Sequence, residues 1–95
     1  MSDKNKFLKI SLELGAKIPE LDLHGENLGL AEETVDQFLY QSFLQGEKAV
    51  RIITGGGTGK LKEKVKNYLA KNSLVEEVLD EFGTLGVILT KKSLN

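Results

Sequence analysis

The sequence predicts an α/β domain, a mixed sheet of four strands covered by two helices in the order β-α-β-α-β-β. Three observations predict it. A strand, an amphipathic helix and a β-branched strand follow one another within about 35 residues, the size of a βαβ unit. A glycine-rich run then leads into a second, lysine-rich amphipathic segment. Finally, two apolar extended segments meet near Gly83, as the arms of a hairpin do.

The lead-in comes first. Residues 1–20 read as an N-terminal arm, polar and frayed over its first six positions, with the rest of the chain, 21–95, forming the folded domain. Ile10, Leu12 and Leu14 alternate with Ser11 and Glu13, so the arm is able to add an edge strand. Pro19, the one proline, disfavours a helix and keeps Ile18 extended.

"LDLHG", residues 21–25, is the first core strand, closed by Gly25. Alternation puts Leu21 and Leu23 on one face and Asp22 and His24 on the other. A helix is expected over 28–45, because Leu28, Ala31, Val35, Phe38, Leu39 and Ser42 recur at steps of three and four. Asn27 stands at its N-cap, Glu32 and Glu33 near its start, and Gly46 at its C-terminal stop. "AVRIIT", 49–54, is short, β-branched and nearly all apolar, as a buried parallel strand should be. The second helix is expected from about Thr58 to Lys71, burying Leu61, Val65, Tyr68 and Leu69. Lys60, Lys64 and Lys71 flank that stripe on one side, and Lys62 and Lys66 on the other, as solvated edges. "SLVEEVLDEF" and "TLGVILTKK" are the last two strands.

Composition limits what such a domain does. Thirteen basic residues against 14 acidic ones give a net charge of -1, which argues against a strongly basic nucleic-acid binder but leaves room for a local basic patch. With no cysteine and one histidine, disulfide scaffolds and structural zinc are excluded. No apolar run approaches the roughly 20 residues of a membrane span. "MSDKNKFLKI" has no signal-peptide core, so a cytoplasmic protein without a membrane partner, and a monomer, is expected.

The glycine run "TGGGTGKL" is neither of two familiar nucleotide loops. A Walker loop needs glycine where Thr54 stands and a hydroxyl where Leu61 stands. The dinucleotide fingerprint counted from Gly55 and Gly57 needs a third glycine where Lys60 stands. The shared physics survives. Gly55, Gly56, Gly57, Thr58 and Gly59 let the backbone approach a ligand closely, the following helix offers free N–H groups, and Lys60 adds a charge. That suits an anion, most simply a phosphate. A ligand-free turn between strand and helix is the alternative.

In an open α/β sheet, ligands bind beyond the carboxyl ends of the parallel strands. If the two parallel strands are neighbours, Asp22, His24, Thr54 and the glycine run converge there. An imidazole beside an acid and a phosphate cradle suits the making or breaking of phosphodiesters. Magnesium (Mg2+) on Asp22 and phosphate oxygens, with Glu26, is compatible with the sequence, although one acid with few neighbours is a poor magnesium cage.

"LDLHG", followed after a helix by "VRIITGGGTGKLKEKVKNYL", resembles the Smr (small MutS-related) domain, and "FGTLGVIL" resembles that family's glycine-containing last strand. The resemblance runs from Leu21 to Leu89. It implies a two-layer α/β sandwich, like the C-terminal domain of a translation initiation factor. It implies endonuclease activity, nicking DNA in some members and cleaving RNA, including messenger RNA on stalled ribosomes, in others. The family's D-x-H motif falls on Asp22 and His24, and its H-G-x-G motif on Thr54, Gly55, Gly56 and Gly57. Threonine replaces the frequent histidine and cannot shuttle protons near neutrality. Two functions are therefore carried forward. One is a nuclease acting on RNA or branched DNA, with His24 as acid/base, Asp22 orienting it, and Thr54 with the loop amides holding the phosphate. The other is a nucleic-acid- or ribosome-binding module without chemistry.

Overall fold

The computed structural model describes residues 18–91. The arm expected over 1–20, with its edge strand, lies outside them except for its last three residues. Six elements follow in order: β1 (Glu20–Asp22), α1 (Leu28–Leu44), β2 (Ala49–Ile53), α2 (Lys60–Leu69), β3 (Val75–Glu81) and β4 (Thr84–Leu89). The sheet order is β1-β2-β4-β3. β1 runs parallel to β2, with Leu21 opposite Ile52, and β4 is antiparallel to both of its neighbours. The mixed sheet and two helices are those expected.

Both helices cover the same face. Ala31, Val35 and Leu39 of α1 and Val65 and Leu69 of α2 share one core with Leu23, Val50, Ile52, Leu85, Val87 and Leu89. Alternation sends Ala49, Ile88 and Leu79 to the opposite face, where they form a small second cluster. Asn27 caps α1 as expected, its side-chain oxygen accepting from the Gly29 amide at 2.6 Å. Gly46, at φ +82°, ends the helix in the left-handed conformation that favours glycine. Glu32 and Glu33 fall beyond the first turn, because the helix begins at Leu28. Leu28 itself, expected in the core, is 41% exposed.

Other boundaries differ for local reasons. β1 ends at Asp22, because the chain turns at once: the Glu26 amide donates to the Leu23 carbonyl at 2.8 Å, and Gly25 has φ +79°. α2 starts at Lys60 rather than Thr58, since Gly59 at φ +88° is not a helical residue. It ends at Leu69 in tighter turns, with Lys71 and Asn72 bonding three residues back. β3 and β4 are joined by the two-residue turn Phe82–Gly83. Among the described residues no helix is long and apolar enough to cross a membrane.

Candidate nucleic-acid interface and active site

Asp22 and His24 do meet, though not by strand alternation. His24 lies in the turn after β1, and Asp22 Oδ1 accepts from both its backbone N–H (3.0 Å) and its ring Nδ1 (2.8 Å). The backbone bond is the Asx type of turn that aspartate favours at a chain reversal. With Nδ1 directed at the carboxylate, Nε2 is the nitrogen left to face a substrate. Both side chains are open to solvent. The Asp22 carboxylate, hydrogen-bonded to the ring, holds the His24 imidazole above its ordinary pKa. The ring, followed by the backbone amide of His24, holds Asp22 below the usual carboxylate value. Each shift favours the charged form of its group, imidazolium beside carboxylate.

The parallel pairing of β1 and β2 brings their carboxyl ends side by side, with Asp22 opposite Ile53. Thr54 and Gly55 follow directly. A Cβ added to Gly55 would lie 3.1 Å from the Cβ of His24. Here the absence of a side chain is what lets the loop pass the histidine. His24, Gly25, Glu26, Leu28 and the run Thr54–Lys62 enclose a cleft of about 400 Å³. That is within the range of small-ligand sites. Of the residues expected to converge, His24, Thr54 and the glycine loop line the cleft, whereas Asp22 stands behind His24 and meets it only through their hydrogen bonds; Leu28, displaced from the core, forms part of the wall.

The loop leaves donors free. Gly59, as the cap of α2, has no side chain to accept from the helix's first amides. Of these, Lys60 N–H has a long bond, 3.3 Å, to Thr58 Oγ1. A helix start of this kind favours an anion. Lys60 lies at the mouth. Lys62 and Lys66 do not act as solvated edges: both pair with Asp80 of β3, at 2.7 and 2.8 Å, and Lys62 also donates to the Glu81 carbonyl. They brace α2 against the end of the hairpin, and Asp80 is held below its ordinary pKa by the two ammonium groups.

Thr54 lies at the base of the cleft. It is 6% exposed, and its Oγ1 is enclosed without a hydrogen-bond partner among the described residues. Its backbone amide donates to the Gly83 carbonyl at 2.9 Å, and the Gly55 amide donates to the same oxygen at 3.0 Å. Sequence reasoning passed over this clamp, and also over Phe82 beside it. The signal available was an aromatic residue in a turn, where no core can receive it.

The two acids weighed for magnesium, Asp22 and Glu26, each already accept a hydrogen bond from a neighbour. Magnesium demands a near-ideal octahedral shell of oxygens. Asp22 commits one oxygen to His24, and Glu26 Oε1 accepts from the Asn27 amide at 3.3 Å. Among the described residues no three histidine, cysteine or acidic side chains are grouped to hold a metal ion.

A two-layer α/β domain with an acid–imidazole pair beside a glycine-rich loop is thus defined. The chain belongs to the Smr domain family, whose profile matches residues 21–88. Endonuclease MutS2 of Carboxydothermus hydrogenoformans is 38% identical over 79 residues, covering 80% of this chain and 10% of that protein. Endonuclease MutS2 of Halothermothrix orenii is 46% identical over 54 residues, covering 57% and 7%. This chain spans a tenth or less of the length of these relatives. The crystal structure of the Smr domain of Thermus thermophilus MutS2 superposes with a TM-score of 0.74 at 29% identity, covering 77% of this chain and 99% of that one.

Proposed function

We propose that this chain binds nucleic acid at the cleft and cleaves RNA phosphodiesters there, with Asp22 and His24 as its acid–base pair. The observation that carries the reading is the 2.8 Å bond between His24 Nδ1 and Asp22 Oδ1 at the edge of the glycine loop. The endonuclease names of the relatives support the same class. The loop amides and Lys60 bind a backbone phosphate. His24, favoured in its protonated form, gives the Nε2 proton to the leaving 5′-oxygen as the neighbouring 2′-oxygen attacks phosphorus. The 2′-hydroxyl proton departs to water, the P–O5′ bond breaks, and the products are a 2′,3′-cyclic phosphate and a 5′-hydroxyl. Asp22 keeps the ring oriented and charged. Thr54 forms the floor under the loop.

The test is cleavage of end-labelled RNA and of branched and single-stranded DNA, with and without chelator, by the wild type and by His24→Ala. RNA-only cleavage that survives chelation and is lost in His24→Ala supports the reading. Cleavage of DNA that stops in chelator overturns the 2′-hydroxyl route. A second reading, a binding module without chemistry, is favoured by the enclosed Thr54 hydroxyl at the position where the family often has a second imidazole. Wild type that binds RNA but leaves every substrate intact selects it.

A further inference from the structure

Phe82 stands apart from every other large hydrophobic residue described. It is 96% exposed, against 62% for Leu44, the next. It occupies the first position of the turn between β3 and β4, and its position beside the cleft is fixed from both sides. Gly83, immediately after it, accepts the amides of Thr54 and Gly55. Asp80 and Glu81, immediately before it, receive the Lys62 ammonium from α2. Its ring borders Gly56: Phe82 Cζ lies 3.8 Å from where a Cβ on that glycine would be. A bare aromatic face is therefore held at the rim of the loop whose amides and lysine suit a phosphate.

We propose that Phe82 is a stacking platform for one unpaired nucleobase of a strand whose backbone phosphate lies on the glycine loop. The inference rests on the cleft being a phosphodiester site and adds the form of the substrate, single-stranded nucleic acid. A nucleotide offers an anion and a flat π-face a few ångströms apart, and this rim offers partners for both. Every base has such a face, so the contact is tolerant of sequence. In a duplex the faces are already stacked on one another, so an internal base pair cannot use it. An apolar protein segment would match the ring but not the anion-binding loop adjoining it.

The protein has no tryptophan, so Phe82→Trp places its one tryptophan at the platform, where it can be excited selectively over the two tyrosines. Short single-stranded RNA should quench it as binding saturates, whereas an abasic strand should bind without quenching. Phe82→Ala should weaken single-strand binding about tenfold, the usual share of one stacked base, and Phe82→Tyr should restore it. The salt dependence should stay that of the wild type, because no charge is lost. Affinity of Phe82→Ala within about twofold of wild type overturns the platform, since a stacked base is worth more than that. So does absence of quenching, or equal loss for duplex and single strand. A self-association abolished by Phe82→Ala with RNA binding unchanged assigns the ring to a protein contact and also overturns it. Wild type that binds no nucleic acid removes the cleft reading itself, and the platform with it. Wild-type binding that survives Phe82→Ala removes the platform alone.

Discussion

Gly55 passes His24 closely: a Cβ there would lie 3.1 Å from His24 Cβ, so the histidine would have to give by a few tenths of an ångström to admit it. The backbone at Gly55 is also left-handed, at φ +80°. Gly55→Ala therefore meets a conformational cost and a close contact together. We expect a loss of about 1–3 kcal/mol in stability by urea denaturation, the range for strained backbone at one residue. Relief by turning His24 out of the cleft would add a fall in cleavage rate. Unchanged stability and rate would show that the loop and the turn move apart at little cost.

His24→Ala should lower the cleavage rate on the order of 10²–10⁴-fold, the usual share of one acid–base group, and leave RNA affinity nearly intact. The rate should also fall as pH rises through the raised His24 pKa, since the acid form is required. Asp22→Asn removes the carboxylate that raises it, so the falling limb should move to lower pH, toward about 6.5. The loss of rate in Asp22→Asn should be smaller than in His24→Ala. The ion pair's small contribution to stability follows the same signs. It is present between the lowered Asp22 pKa and the raised His24 pKa, and is lost as pH falls through the first or rises through the second. A pH–rate profile of Asp22→Asn superposing on that of the wild type would remove the coupling.

Thr54→Val keeps the shape of the side chain and removes an enclosed hydroxyl that has no partner among the described residues. Because an unsatisfied buried polar group is unfavourable, the variant should be more stable by about 1 kcal/mol in chemical denaturation. As a floor residue, Thr54 should contribute less than about tenfold to the rate, or roughly 1.4 kcal/mol. A larger loss would mean that the hydroxyl reaches the substrate directly.

Lys60→Ala should weaken RNA binding and flatten its dependence on salt by about 0.7 to 1 in logarithmic slope, one phosphate contact. Lys66→Ala should leave that slope unchanged, because its charge is spent on Asp80 rather than on the cleft. An equal change in slope for both variants would spread the phosphate contacts along α2.

Much of this was legible in the sequence, sometimes for a different reason. The order of elements follows from hydrophobic period, which burial enforces directly: Ala31, Val35, Leu39 and Ser42 are buried in α1, Val65 and Leu69 in α2. The D-x-H spacing predicted that Asp22 and His24 would meet. Alternation along a strand predicts a shared face, but an Asx turn is what brings them together. The glycine run predicted a close backbone approach without saying to what; only the parallel pairing of β1 and β2 supplies His24 as the neighbour. The ion pairs of Lys62 and Lys66 with Asp80 were illegible, because they join α2 to β3 and depend on how the hairpin lies across the helix. Leu28 fits the apolar stripe by period, yet lies at the first turn of α1, where no described element covers it.

The carbonyl of Gly83, which holds the amides of Thr54 and Gly55, has a consequence for how the site comes into being. Every described residue lining the cleft lies between His24 and Lys62, so a fragment ending with α2 contains all of that wall. It lacks β4, which stands between β2 and β3 in the sheet, and it lacks the oxygen on which the glycine loop is hung. Such a fragment would have the residues of the cleft without its shape. In the intact chain, these two loop hydrogen bonds hold only while the hairpin is docked. Transient undocking would release the Thr54 and Gly55 amides together, so that both would exchange with solvent hydrogen through one common opening, governed by how firmly the hairpin is held.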